Sequence, residues 1–240
     1  MPEILKTRHT SPRVALIVRG GWEGHHPVEA TDLFLPFLEE NDFDVRVDDS
    51  PAVYADHDYM ATVDLIVQAV TMSTIEQREV AGLRAAVEDG CGFAGWHGGI
   101  VDSYRSNTEY LQLVGCQFVA HPGKPESERT GRPDDNYSTY TVSMTRDAHD
   151  HPITHGIADF SLDTEQYWVL TDGYNDVLAT TTQERRPGDP WHCPLQVPVV
   201  WTRQWGSGRV FVSTPGHRIE DLDNTSLRII IERGLLWAAR

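Results

Sequence analysis

The chain is short of cysteine, of basic charge and of long apolar runs, and each shortage narrows what it can be. Only three of its 240 residues are cysteines (Cys91, Cys116 and Cys193). They cannot all pair, which argues for a reduced, cytoplasmic setting and against a disulfide-built secreted fold. Twenty Lys+Arg against 36 Asp+Glu leave a formal net charge of −16, so the footprint needed to hold nucleic acid or an anionic membrane is missing. No apolar run approaches the ~20 residues that span a bilayer, and the opening MPEILKTRHTSPR lacks the apolar core of a signal peptide. What is present is a globular composition, 40% hydrophobic and 23% charged, long enough to bury a core unaided. No linker divides the chain, so residues 1–240 are expected to form one domain.

The first half alternates. Val14–Val18 is a short apolar run ended by Arg19-Gly20-Gly21, a buried strand entering a glycine turn. Residues 28–40 place Val28, Leu33, Phe37 and Leu38 at near-helical spacing, and Val45–Val47 and Val63–Val67, continuing to Val70, are further strands. Ser73 with Glu76, or Thr74 with Gln77, can form a capping box before the stripe Val80, Leu83, Val87, which Gly90 can end. Phe93–Trp96 is the next strand. Strands alternating with helices predict a doubly wound, mostly parallel α/β sheet with helices on both faces. The second half adds antiparallel strands: Tyr140–Met144, Val177–Thr180 and a hairpin over 199–212 turning at Gly206-Ser207-Gly208, before a helix over Leu227–Trp237. Residues 121–138 are polar and rich in Pro and Gly, a surface excursion.

In such a sheet ligands bind outside the carboxyl ends of the strands. Two glycine corners fall there, Arg19 to His26 and Gly95-Trp96-His97-Gly98-Gly99. Neither has the glycine order or the Lys-Ser/Thr of a phosphate loop, so no nucleotide is expected. The second has the small–x–residue–x–small form of a nucleophile elbow, with His97 at its centre. An imidazole there points to a metal ligand or a general acid/base, or to a turn whose histidine caps a carbonyl.

The blocks Gly95–Gly99, Gly115–Pro122, His151–Ile157, Glu165–Tyr167, Pro198–Trp201, Gly208–Phe211 and Gly216–Arg218 together resemble the ThuA family, trehalose-utilisation proteins related to the class I glutamine amidotransferases. The resemblance implies a flavodoxin-like fold and, with His97 where a nucleophilic cysteine would stand, no glutaminase activity; Cys91 comes too early for the elbow. It also implies a sugar ligand, a 3-keto-glycoside in particular, and a functional link to a sugar dehydrogenase. Removing an acidified hydrogen beside such a ketone permits isomerisation, elimination or hydrolysis, given a base and an electrophile for the oxyanion. The alternative is a non-catalytic sugar-binding or assembly module on the same fold.

Candidate residues follow. His25, His97, His121 and His217 each sit beside a glycine or proline corner, and three of them, with or without Glu165, would hold a divalent metal such as zinc. His97 and Glu165 are the candidate catalytic pair, although a Glu is most often a surface residue. Substrate contacts are expected from Arg19, Trp22, Trp96, Asp102, Tyr104 and Tyr167, and Trp168 is a further stacking candidate. Against these stand a strand-end role for Arg19, a helix start at Asp102 and core burial of the tryptophans. His149, His151 and His155 could form a metal tract but more simply close a loop, and His9, His26, His57 and His192 are taken as surface residues. The final helix can pack internally or across a homodimer.

Overall fold

A computed structural model describes residues 12–240; His9 lies outside them. In chain order the strands are β1 (Arg13–Gly21), β2 (Phe43–Asp48), β3 (Leu65–Thr71), β4 (Gly92–Trp96), β5 (Cys116–Ala120), β6 (Tyr137–Met144), β7 (Phe160–Glu165), β8 (Trp168–Thr171), β9 (Asp176–Gln183), β10 (Leu195–Trp205) and β11 (Gly208–Ser213). The α-helices are α1 (Pro27–Asp32), α2 (Leu35–Glu40), α3 (His57–Met60), α4 (Gln77–Glu88), α5 (Gly98–Val101), α6 (Thr108–Val114), α7 (Ile219–Leu222) and α8 (Thr225–Ala238). None of the described helices is long and apolar enough to cross a membrane.

Nine strands form one sheet in the order β2-β1-β3-β4-β11-β10-β9-β6-β7, and β5 pairs β8 separately. The first five are mutually parallel; the remaining steps are antiparallel. Four antiparallel steps separate β11 from β7, an even number, so β7 runs the same way as the parallel strands. Its C-terminal residue, Glu165, therefore lies at the pole where β1, β4 and β11 end.

One helical layer packs Phe34, Leu38, Leu227, Ile230, Ile231 and Leu235 against Ile17, Val67 and Phe211. On the other face Val80, Leu83, Val87 and Tyr110 pack on Leu16, Ile66 and Phe93. Every residue of β3 and β4 is buried, as expected of strands covered on both faces. Each large aliphatic side chain so removed from water contributes about 1.5–3 kcal/mol.

Three local expectations change. The helix over residues 28–40 is two short helices, because Pro36 in the first turn of α2 has no amide to continue the α1 ladder. The α4 start is set by Glu76, not Ser73 or Thr74: Glu76 N donates to Glu79 Oε2 at 2.8 Å, and Ser73 N is taken by the Ser103 carbonyl. Beyond the expected elements, the chain forms α6 and β5 between residues 108 and 120 and β7 and β8 in its second half.

Candidate metal centre

The elbow is strained in the way its sequence implies. His97 has φ 48° and ψ −147°, a conformation a non-glycine residue keeps only where its surroundings enforce it. Its N–H donates to the Ser213 carbonyl at 2.7 Å, and α5 starts directly beyond it. The ring is fixed as well: Nδ1 lies 2.9 Å from the Thr214 carbonyl, an acceptor, so Nδ1 carries the proton and Nε2 is left with its lone pair.

Three further groups converge on that nitrogen. His217, beyond β11, places Nδ1 at 3.2 Å. Tyr167 donates its hydroxyl at 2.9 Å. Glu165 Oε2 is 3.4 Å away and also 3.3 Å from His217 Nδ1. His25, in the turn Glu23–His25 after β1, stacks edge-on against His97 at 4.6 Å and His217 at 5.0 Å between ring centroids, its Nδ1 3.0 Å from Thr71 Oγ1. Donor atoms of His25, His97, Glu165 and His217 all lie within 4.8 Å of one another. A cavity of about 10 Å³, the size of one water, lies on the α1 side of the donors beside His25, His97, Trp96 and Gly99, and neither Glu165 nor His217 lines it.

Glycine permits this crowding. A Cβ on Gly98 would lie 2.4 Å from His25 Cε1, and one on Gly216 (φ 122°) would lie 3.0 Å from Trp96 Cδ1.

The electrostatics favour neutral rings at His25 and His97 beside a charged Glu165. Burial, reinforced by His97 and His217, holds the His25 pKa down to about 2, and burial also lowers that of His97. Burial opposes the charge on Glu165, but its contacts with His217 and His97 outweigh it and hold the carboxyl below the usual range. Glu165 Oε2 is nonetheless shielded from solvent with no hydrogen-bond partner.

The structure thus brings His25, His97, Glu165, His217 and Tyr167 together. His121 does not join the donor set: it leaves the end of β5 on the far side of Glu165, its Nε2 3.7 Å from Oε1. Trp22 is on the rim, half exposed, its ring edge-on to His25 at 4.7 Å. The other side chains expected at the substrate are placed outside the donor set. Trp96 is buried against Phe34 beneath the centre. Tyr104 faces the opposite layer, where its hydroxyl accepts from buried Gln68 at 3.2 Å. Asp102 is buried and occupied by Arg105. Arg19 holds Thr31 and Asp32 of α1. Trp168 pairs with Trp191 at 5.1 Å. His149, His151 and His155 lie in a turn where the His155 side chain bonds locally, Nδ1 meeting the His149 carbonyl at 3.0 Å, while Arg233 of α8 donates to the His155 carbonyl at 2.7 Å. The Cys91 and Cys116 thiols are buried, and burial pushes that of Cys91 up to about 12, so neither supplies a thiolate.

Residues outside the earlier expectations complete the frame. Asp221, 5% exposed, accepts Thr164 Oγ1 at 2.6 Å and Arg218 N at 2.9 Å through Oδ2, tying the neighbour of Glu165 to the neighbour of His217. Gln166, between Glu165 and Tyr167, is buried and bonded to β9. Its only sequence signal is adjacency to Glu165.

The family described as ThuA, trehalose utilisation, matches residues 14–238. Among solved structures, a ThuA-like protein from Parabacteroides merdae is similar at TM-score 0.70 and 17% identity, over 95% of this chain and 90% of that one. Another from Bacteroides uniformis is similar at TM-score 0.69 and 16% identity, over 96% and 93%. A cytoplasmic protein of Salmonella typhimurium LT2 follows at TM-score 0.62 and 13% identity, over 95% and 100%. Comparison with curated proteins gives no match.

Proposed function

The chain belongs to the ThuA, or trehalose-utilisation, family on the class I glutamine amidotransferase-like fold, which implies a carbohydrate-related role. On that premise we propose that it is an enzyme that enolises an oxidised sugar, a 3-keto-glycoside in particular, at a divalent metal centre held by His25, His97, Glu165 and His217. The observation that carries this proposal is Glu165 Oε2, a buried carboxylate oxygen without a donor, 3.3 and 3.4 Å from two imidazole nitrogens. A buried acceptor left unpaired costs about 1–3 kcal/mol or more. A cation among the four donors removes that cost. Three imidazole nitrogens and one carboxylate oxygen suit zinc or a similar first-row divalent ion. The Thr214 carbonyl behind His97 is the kind of support that orients a ligating imidazole.

When bound, such an ion supplies Lewis-acid polarisation of a substrate carbonyl oxygen. Residues of the chain supply the remainder. His121, 30% exposed in its side chain and outside the donor set, takes the proton from the carbon beside the ketone at Nε2. Tyr167 is kept neutral by burial that pushes its pKa well up; with the His97 Nε2 lone pair given to an ion, its one hydroxyl proton would be free to turn toward the oxygen on which charge develops. Return of that proton from His121 to the former carbonyl carbon, with the hydroxyl proton of the deprotonated carbon passing to the former carbonyl oxygen, completes an isomerisation; departure of the glycosidic oxygen from the carbon on the other side of the deprotonated one, taking the proton from His121 as the ketone re-forms, completes an elimination. The cavity beside His97 is too small for a sugar, so the substrate lies outside it, on the side of His121 and Trp22. The keto group implies a sugar dehydrogenase acting upstream.

Elemental mass spectrometry of untagged wild type and His97→Ala tests the centre. About one divalent ion per chain is expected, falling sharply in the variant. No ion in the wild type, after purification without chelator and with zinc and manganese offered back, overturns the metal assignment and leaves the binding-module alternative.

A further inference from the structure

Strands β6 and β9 are neighbours over only two residue pairs, Ser143↔Thr180 and Met144↔Ala179, although β6 begins at Tyr137 and β9 runs on to Gln183. Continued in the same register, Thr141 would oppose Thr182. The strands splay instead, and the wedge between them is a cavity of about 470 Å³. Gln166 fastens its floor. Nε2 donates to Thr181 Oγ1 at 2.8 Å and to the Thr182 carbonyl at 2.9 Å, standing where an amide of β6 would have been, and Gln183 Nε2 donates to the Gln166 carbonyl at 3.1 Å.

The lining has one chemical character. Eight of its twelve residues carry a hydroxyl, and the others are two glutamines, Glu184 and Arg186, whose charges cancel. One of the eight, Ser138, has its Oγ shielded from solvent without a partner. The volume lies within the range of small-molecule sites, and hydroxyls both donate and accept. A peptide strand entering the wedge would need apolar pockets for alternate side chains, and no lining residue is aliphatic. An anion would meet Glu184 as well as Arg186.

We propose that the wedge between β6 and β9 is a second binding site, for a neutral polyhydroxylated ligand of mono- or disaccharide size. It shares no lining residue with the cavity beside His97. The corner Glu165-Gln166-Tyr167 borders both: its outer residues face the metal centre and its middle one lines the wedge.

Isothermal titration of the intact protein with glucose, trehalose and maltose tests this. The wild type is expected to bind at least one of them, the double variant His97→Ala/His217→Ala to bind it equally well, and Thr182→Trp, an exposed position where the new ring would fill the gap, to weaken it about tenfold or more. Thr182→Val, which removes one hydroxyl at nearly constant shape, should weaken it by a few-fold and guards against a folding defect in the tryptophan variant. Binding that disappears in the histidine double variant belongs to the metal centre and overturns the proposal. So does binding untouched by both Thr182 variants, or no binding of any of the three sugars. None of these outcomes depends on whether the centre holds an ion.

Discussion

The parallel and antiparallel halves of the sheet contribute different chemistry to one centre. From beyond the ends of β1, β4 and β11 come three imidazoles, His25, His97 and His217; from the end of β7 and the corner after it come the carboxylate of Glu165 and the hydroxyl of Tyr167. In the parallel half every strand ends at the same pole, so topology does the gathering, and one short contact finishes each ring, Thr214 on His97 and Thr71 on His25. In the antiparallel half only the even number of reversals returns β7 to that pole, and side-chain bonds must fix what topology leaves loose. Asp221 does so across the seam, holding Thr164 and Arg218 together. The nitrogen donors of His25 and His97 are thus brought in by the parallel fold, whereas the oxygen donor depends on a polar clamp that it shares with His217.

That division can be broken from either side. The largest effect is expected from Glu165→Ala, which takes the only anionic donor from the antiparallel half; metal content should fall from about one ion per chain towards none, as read by elemental analysis. Next comes Gly98→Ala in the parallel half. Its Cβ would stand 2.4 Å from His25 Cε1, so the ring must move, and metal affinity measured against a chromophoric chelator should fall about 100-fold, the upper end of what disturbing the support of a ligand costs. Asp221→Asn keeps the shape of the clamp and removes its charge; affinity should fall roughly tenfold. An equal loss in Gly98→Ala and Asp221→Asn would erase the distinction between topological and clamped donors. The smallest expected effect is on the metal-free protein. Burial keeps the folded-state pKa of His25 at about 2, against 6.5 for the free side chain. Below pH 6.5 the unfolded chain therefore takes up a proton that the folded chain refuses, and stability declines as pH falls from there. Urea unfolding at pH 7.5 and pH 5 measures it, and His25→Ala should flatten the difference.

The parallel half was legible because its signals are redundant. The apolar runs of β1 and β4 end in glycine corners, and those corners led directly to His25 and His97. The antiparallel half was less so. In β7 (Phe160–Glu165) both Thr164 and Glu165 are buried, against the centre and Asp221, so the alternation that marks a half-exposed strand is lost. Glu165 and Tyr167 were visible as a block, but Gln166 and Asp221 carry no spacing signal, since each acts on groups 15 and 57 residues away. Asp102 and Tyr104 were drawn into the site by closeness to the elbow in sequence; α5 turns them under the sheet instead.

The position of β11 in the strand order has a consequence for synthesis. By the time Trp96 has emerged, β2, β1, β3 and β4 can pair among themselves, but the free edge of β4 is reserved for residues 208–213. More than a hundred residues must be made before that seam can close, and until then a strand buried along its whole length in the finished protein presents open backbone groups to any other nascent chain. His217 follows β11, so the last imidazole arrives with the strand that seals the sheet: an unsealed chain is also one without a complete centre.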